Sequence, residues 1–154
     1  IGYNYRMSNI SAGIGRGQME VLKNRVAQRR QNFDFYKNTF AAFDEIELGA
    51  EPDDKFYSNH WLTAALIKSN RIHREDIRLA LVAANIDCRP LWKPMHLQPI
   101  FEAAPYYGNG TSDKLFEDGL CLPSGSNLTS AELEKVASII KGVLQGAKAA
   151  VTME

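Results

Sequence analysis

The sequence predicts an α+β fold: a small sheet with helices packed on it, preceded by one long helix. Three observations predict it. Apolar residues recur at Ile10, Ile14, Leu22, Val26, Phe33, Tyr36, Phe40 and Phe43, close to the 3.6-residue helical period. Three short apolar runs, Trp61 to Ile67, Ile86 to Leu91 and Leu120 to Pro123, have the length of buried strands. Thr129-Ser130-Ala131-Glu132 is a capping box, in which hydroxyl and carboxylate satisfy each other's orphan amides at the start of a last helix.

The elements follow in chain order. Residues 8–43 read as the long helix, with the Ser8 hydroxyl accepting from the first free N–H groups. Gly13, Gly15 and Gly17 lie in its first turns, each costing about 1 kcal/mol relative to Ala. Close approach of another backbone or a ligand would explain them. Residues 44–60, with Gly49, Pro52 and Asp53-Asp54, read as a loop. Trp61 to Ile67 is a buried strand, and a helix from about Arg74 to Asn85 turns Ile77, Ala80, Leu81 and Ala84 to one side. Ile86 to Leu91 is a short strand stopped by Pro90 and Pro94. A helix near Asp113 to Gly119, capped by Ser112, interrupts an otherwise irregular stretch before the strand at Leu120. The last helix buries Leu133, Val136, Ala137, Ile140, Val143, Leu144 and Ala147, and the chain frays after about Lys148.

Composition excludes several classes. Eighteen basic and 18 acidic residues leave a net charge of zero, which argues against a polyanion binder. The 154 residues, 45% of them hydrophobic, suffice for a core without disulfide staples. Two cysteines, Cys88 and Cys121, sit in apolar surroundings and read as buried thiols, which fits a reducing, cytoplasmic setting. No apolar run approaches the ~20 residues that cross a bilayer, and no signal-peptide pattern opens the chain. His60, His73, His96 and the cysteines lack paired zinc-ligand spacing, so no metal is expected.

Two constellations could carry chemistry. Asn4-Tyr5-Arg6 precedes a helix N-terminus, where free N–H groups, an amide and a guanidinium fork can grip an anion; equally, it can be a turn with a solvated arginine. Arg89-Pro90-Leu91-Trp92-Lys93-Pro94-Met95-His96-Leu97-Gln98-Pro99 is stiffened by its prolines and displays cations, a stacking surface and an imidazole. That set suits an anionic ligand bearing a sugar or nucleotide. It also suits a structural edge with Trp92 packed and His96 bonded to a carbonyl. The basic stripe Arg16, Lys23, Arg25, Arg29 and Arg30 lacks interleaved aromatics, so a solvated face or subunit contact describes it better than a nucleic-acid site.

Gly2-Tyr3-Asn4-Tyr5-Arg6-Met7-Ser8, followed by Ala12, Gly15 and Gln18-Met19, resembles a motif of the DegT/StrS-type sugar aminotransferases. The Arg89 to Pro99 segment and Leu120 to Thr129 resemble a branch that aminates UDP-linked 4-keto-6-deoxy-2-acetamido sugars of the bacillosamine type. The resemblance implies pyridoxal 5′-phosphate as cofactor and the fold type I, aspartate aminotransferase-like architecture, of which this chain would be the C-terminal small domain. Residues 1–43 would link from the cofactor-binding large domain, and 44–154 would form the small domain. It further implies that Asn4 contacts the cofactor phosphate of a neighbouring subunit in a homodimer. Tyr5, Arg6, Arg89, Trp92 and His96 would contact the nucleotide-linked keto-sugar. The amino donor would be glutamate and the pathway surface polysaccharide or glycan biosynthesis. The family's cofactor-bearing lysine sits in a context that none of the lysines here has, so no catalytic residue is expected in this chain and the chain alone is expected to be inactive. The alternative is a non-catalytic interaction or regulatory module that keeps the small-domain fold.

Overall fold

A computed structural model of the chain describes residues 5–149, and side-chain environments for residues 5–146. Helix α1 runs Asn9–Phe40. It is followed by strands β1 (Ile46–Leu48) and β2 (Thr63–Ile67), helix α2 (Arg74–Ala83) and strand β3 (Arg89–Pro90). Two 3-10 turns at Met95–Leu97 and Pro99–Phe101 lead to helix α3 (Thr111–Asp118), strand β4 (Gly119–Leu122) and helix α4 (Ser130–Ala149).

The four strands form one antiparallel sheet in the order β1-β2-β4-β3. In the central pair, Thr63 faces Leu122 and Ala65 faces Leu120. Because side chains alternate across a strand, this register turns Thr63, Ala65 and Ile67 with Leu120 and Leu122 to one face. Ile77 and Leu81 of α2, Leu133, Val136, Ala137, Ile140 and Leu144 of α4, and Tyr36 and Phe40 of α1 bury that face. The apolar stripe expected of α4 is the core stripe at those five positions, with Val143 partly buried against it; Ala147 and the fraying expected after Lys148 lie outside the described side chains. The capping box is present, with Thr129 N–H donating to Glu132 Oε2 at 2.8 Å and Glu132 N–H to Thr129 Oγ1 at 3.3 Å.

Helix α1 behaves as two halves. Ser8 caps it, accepting from Ser11 N–H at 3.1 Å. Asn32, Phe33, Tyr36 and Phe40 are buried, whereas every residue from 9 to 25 is exposed, Ile10 and Ile14 among them. At 1.5 Å per residue those first turns extend about 25 Å. A Cβ at Gly13, Gly15 or Gly17 would meet nothing within 4 Å among the described residues, so the approach of another backbone or a ligand expected there is not made within these residues of the chain.

Other expectations are corrected in detail. The 44–60 loop contains edge strand β1, short enough to be hidden beside Gly49 and Pro52. Strand β2 starts at Thr63, and Trp61 before it is exposed, not buried. Strand β3 is only Arg89–Pro90; it lies on the sheet edge, where the missing proline N–H costs no ladder bond. Helix α3 is capped by Gly110 at φ 77°, a left-handed geometry that glycine adopts without strain, and Ser112 lies inside it. Cys88 is buried, but Cys121 is only half-buried. Gly119 opens β4 where a Cβ would lie 2.2 Å from Leu91 Cδ1, so the strap after β3 can cross directly over it.

Candidate functional site

The ends of β2 and β4 that face α1 are held by polar side chains of that helix. Arg29 Nη1 donates to the Trp61 carbonyl and, at 3.1 Å, to the Ser124 carbonyl. Asn32 Nδ2 donates to Gly125 O and Tyr36 Oη to Pro123 O, each at 2.9 Å. Burial pushes the Tyr36 hydroxyl well above its ordinary pKa, keeping it a donor. Ser124 Oγ accepts from Thr63 N–H at 2.8 Å and donates to Leu122 O at 2.7 Å, joining the two strand ends. Two members of the expected solvated stripe, Arg29 and Arg30, are thus engaged inward, while Arg16, Lys23 and Arg25 stay exposed.

Beside this clamp, Arg30 Nη1 donates to Glu51 Oε1 at 2.9 Å and to the Ser58 carbonyl. The guanidinium, with help from the Ser58 N–H, holds the Glu51 carboxyl down at about 2. His60 packs beneath, its Nε2 3.6 Å from Glu51 Oε1 and its ring stacked on Phe33 at 3.8 Å. Its pKa is lowered by burial, which outweighs the Glu51 charge. His60 adopts φ 44°, the left-handed region that a non-glycine residue enters only under constraint. The turn it makes throws Trp61 outward.

That placement creates the strongest candidate for a ligand site. Trp61 and Trp92 converge with ring centroids 6.2 Å apart and planes tilted by 37°, although 59% and 66% exposed. Next to them an open groove of about 560 Å³ is lined by Leu62, the Asp87–Trp92 segment and Cys121–Ser124. Arg89 stands on its rim, exposed, with Nε 3.1 Å from Asp87 Oδ2. Of the residues singled out from sequence, the groove therefore gathers Arg89 and Trp92. Trp61 was missed, because a tryptophan heading an apolar run reads as buried strand.

The structure places His96 elsewhere. Its Nε2 lies 2.6 Å from Asp113 Oδ1, a close contact that does not form a hydrogen bond, and its ring stacks on Tyr106 at 3.7 Å. It does not line the groove. Tyr5 and Arg6 precede α1, both exposed, and are not groove residues either. Asn4 lies outside the described residues.

A pyridoxal cofactor needs a lysine held in a desolvated pocket. Lys23, Lys37, Lys55, Lys68, Lys93, Lys114 and Lys135 are exposed and Lys141 is half-buried, so the described residues do not by themselves build that cradle. Among them no group of three or more His, Cys, Asp or Glu could hold a metal, and no helix is long and apolar enough to cross a membrane.

Similarity to known proteins supplies the wider frame. Residues 1–141 match the model of the DegT/DnrJ/EryC1/StrS aminotransferase family. The chain is 43% identical over 144 residues to EpsN of Bacillus subtilis (strain 168), described as a pyridoxal phosphate-dependent aminotransferase, covering 91% of this chain and 37% of that protein. It is 30% identical to GDP-perosamine synthase of Escherichia coli O157:H7, covering 86% of this chain and 35% of that one. DesI, solved in the presence of its TDP-sugar product, superposes with a TM-score of 0.84 at 21% identity, over 99% of this chain and 40% of its own, which supports the fold. The chain thus spans little more than a third of the length of the proteins it resembles. With a match running from the residues before α1 into the last helix, the chain belongs to the DegT/DnrJ/EryC1/StrS aminotransferase family.

Proposed function

We propose that these residues are the C-terminal part of a pyridoxal-phosphate-dependent enzyme. The enzyme would transfer an amino group from glutamate to the 4-keto group of a nucleotide-linked sugar, for surface polysaccharide or glycan biosynthesis. The family match across residues 1–141 carries this reading. It is supported by a relative described as pyridoxal phosphate-dependent, by a relative named GDP-perosamine synthase, and by a structural neighbour, DesI, solved with its TDP-sugar product. When bound, the cofactor supplies the electron sink that amino transfer requires. In this reading the lysine that carries it lies outside these 154 residues, and the chain alone does not catalyse the reaction.

The chain's own contribution is then substrate binding and completion of a shared site. Residues 1–43 connect to the cofactor-bearing part, and 44–154 form the small domain. Asn4 reaches the cofactor phosphate of a neighbouring subunit in a homodimer, with Tyr5 and Arg6 beside it. The Arg89 guanidinium offers a fork that matches a phosphate edge, and Trp92 offers a flat apolar face. His96, held by Asp113 and Tyr106, braces the strap that carries Trp92. The enzyme works in the cytoplasm.

The test is the native reading frame and its product. A frame extending well upstream of Ile1, whose purified product shows the visible absorbance of bound pyridoxal phosphate, is the expected result. A frame confined to these residues, or a cofactor band from these residues alone, would overturn the reading.

A further inference from the structure

Two large indoles stand mostly in water at one corner of this domain, and their positions are fixed by separate means. Trp61 is anchored through its backbone: its carbonyl accepts from Arg29, its N–H donates to Asn59 Oδ1 at 2.9 Å, and the left-handed turn at His60 precedes it. Trp92 follows edge strand β3, where Leu91 N–H donates to Gly119 O at 3.1 Å and Pro90 and Pro94 stiffen the backbone on either side. The rings meet at 6.2 Å, yet 59% and 66% of each residue's surface stays exposed. Large aromatic surface held rigid and left uncovered is what a stacking platform requires. A gap of 6.2 Å with a 37° tilt is too narrow to take a ring between the indoles, so a flat ligand lies against their outer faces.

The groove beside them has the size of a small-molecule site, and Arg89 on its rim brings a cation that matches a diphosphate. We propose that Trp61 and Trp92 together form the platform on which the nucleobase of a nucleoside diphosphate stacks, with Arg89 taking the diphosphate. This rests on the nucleotide-sugar reading given above and adds to it both a residue, Trp61, and the part of the ligand that the tryptophans hold. Base stacking on aromatics tolerates any base, so the platform accepts uracil and guanine alike.

The chain contains only these two tryptophans, so its tryptophan fluorescence, excited at the red edge where its six tyrosines do not absorb, reports on the platform alone. Titrating the 154-residue chain with uridine 5′-diphosphate or guanosine 5′-diphosphate should give saturable quenching. Ribose 5-phosphate and pyrophosphate at the same concentrations should give none. Trp61→Leu and Trp92→Leu should each weaken binding of the diphosphate, measured by calorimetry, by about five-fold to a hundred-fold. Trp61→Phe should recover most of that loss, which separates lost stacking from a damaged fold. Absence of quenching by both nucleotides, equal binding of pyrophosphate, or undiminished affinity in both leucine variants would each overturn the platform. None of those results touches amino transfer by the longer protein. Conversely, nucleotide stacking in a longer protein that moves no amino group would sink the proposed activity and leave the platform standing.

Discussion

The imidazole of His60 lies flat on the ring of Phe33, 3.8 Å between centroids and 13° between planes, while its own backbone sits at φ 44°. Stacking, burial and the nearby Glu51 carboxylate hold a strained residue in place, and that residue turns the chain from the 51–59 loop into β2. His60→Ala removes the stack and keeps the unfavourable φ, so it should cost about 2 kcal/mol. His60→Asn, which tolerates the left-handed region, should cost about 1 kcal/mol less than Ala. Urea unfolding of the three proteins checks the order.

The same residue makes stability depend on pH. Burial lowers the His60 pKa below its ordinary 6.5, so the unfolded chain binds the proton more readily than the folded one. Its contribution is complete above about pH 6.5 and is lost as the pH falls through the lower, folded value. Glu51 acts with the same sign further down, between its ordinary 4.5 and about 2, because Arg30 stabilises its charged form. Unfolding free energies measured from pH 7.5 to pH 5 should decline in the native chain, and the His60→Asn variant should lose most of that decline.

Thr63 is fully buried, and its Oγ1 has no hydrogen-bond partner among the described residues. An orphaned buried hydroxyl costs about 1–3 kcal/mol. Thr63→Val keeps the shape and removes the hydroxyl, and should raise the melting temperature by about 2–4 °C. Tyr36→Phe does the opposite. It strands the Pro123 carbonyl and should cost about 1–2 kcal/mol, so the two variants should move the calorimetric midpoint in opposite directions.

Cys88 is buried beneath β4, its Sγ donating to Cys121 O at 3.3 Å, and burial pushes its thiol up to about 12. Cys121 is raised as well, also by burial, but is partly accessible. Alkylation of the folded chain at pH 8, followed by peptide mapping, should mark Cys121 first and Cys88 only on unfolding.

Much of the fold was legible because its signals are local. Ser8, the Thr129–Glu132 box and the periodic stripe of α4 state their own geometry over three or four residues. Strand β1 was not, because three residues beside Gly49 and Pro52 carry too little alternation to stand out. The glycines at 13, 15 and 17 suggested close approach of another backbone or a ligand, but packing is a property of partners, and none of the described residues packs there. Arg89 and Trp92 could be found because they share one proline-stiffened segment. Trp61 could not, since it reaches Trp92 from a different segment through a backbone turn that nothing around His60 announces. Arg29 and Arg30 looked like surface charge, and only the fold shows that the carbonyls at Trp61, Ser124 and Ser58 need them.

The most direct test of the central claim is nitrogen transfer by the longer protein that contains these residues. Isotopically labelled glutamate, pyridoxal phosphate and a UDP-linked 4-keto-6-deoxy sugar should yield a labelled amino sugar, detected by mass spectrometry, while the 154-residue chain under the same conditions yields none. Labelled product from the short chain alone, or none from a longer protein that binds the cofactor and the nucleotide-sugar, would contradict the account.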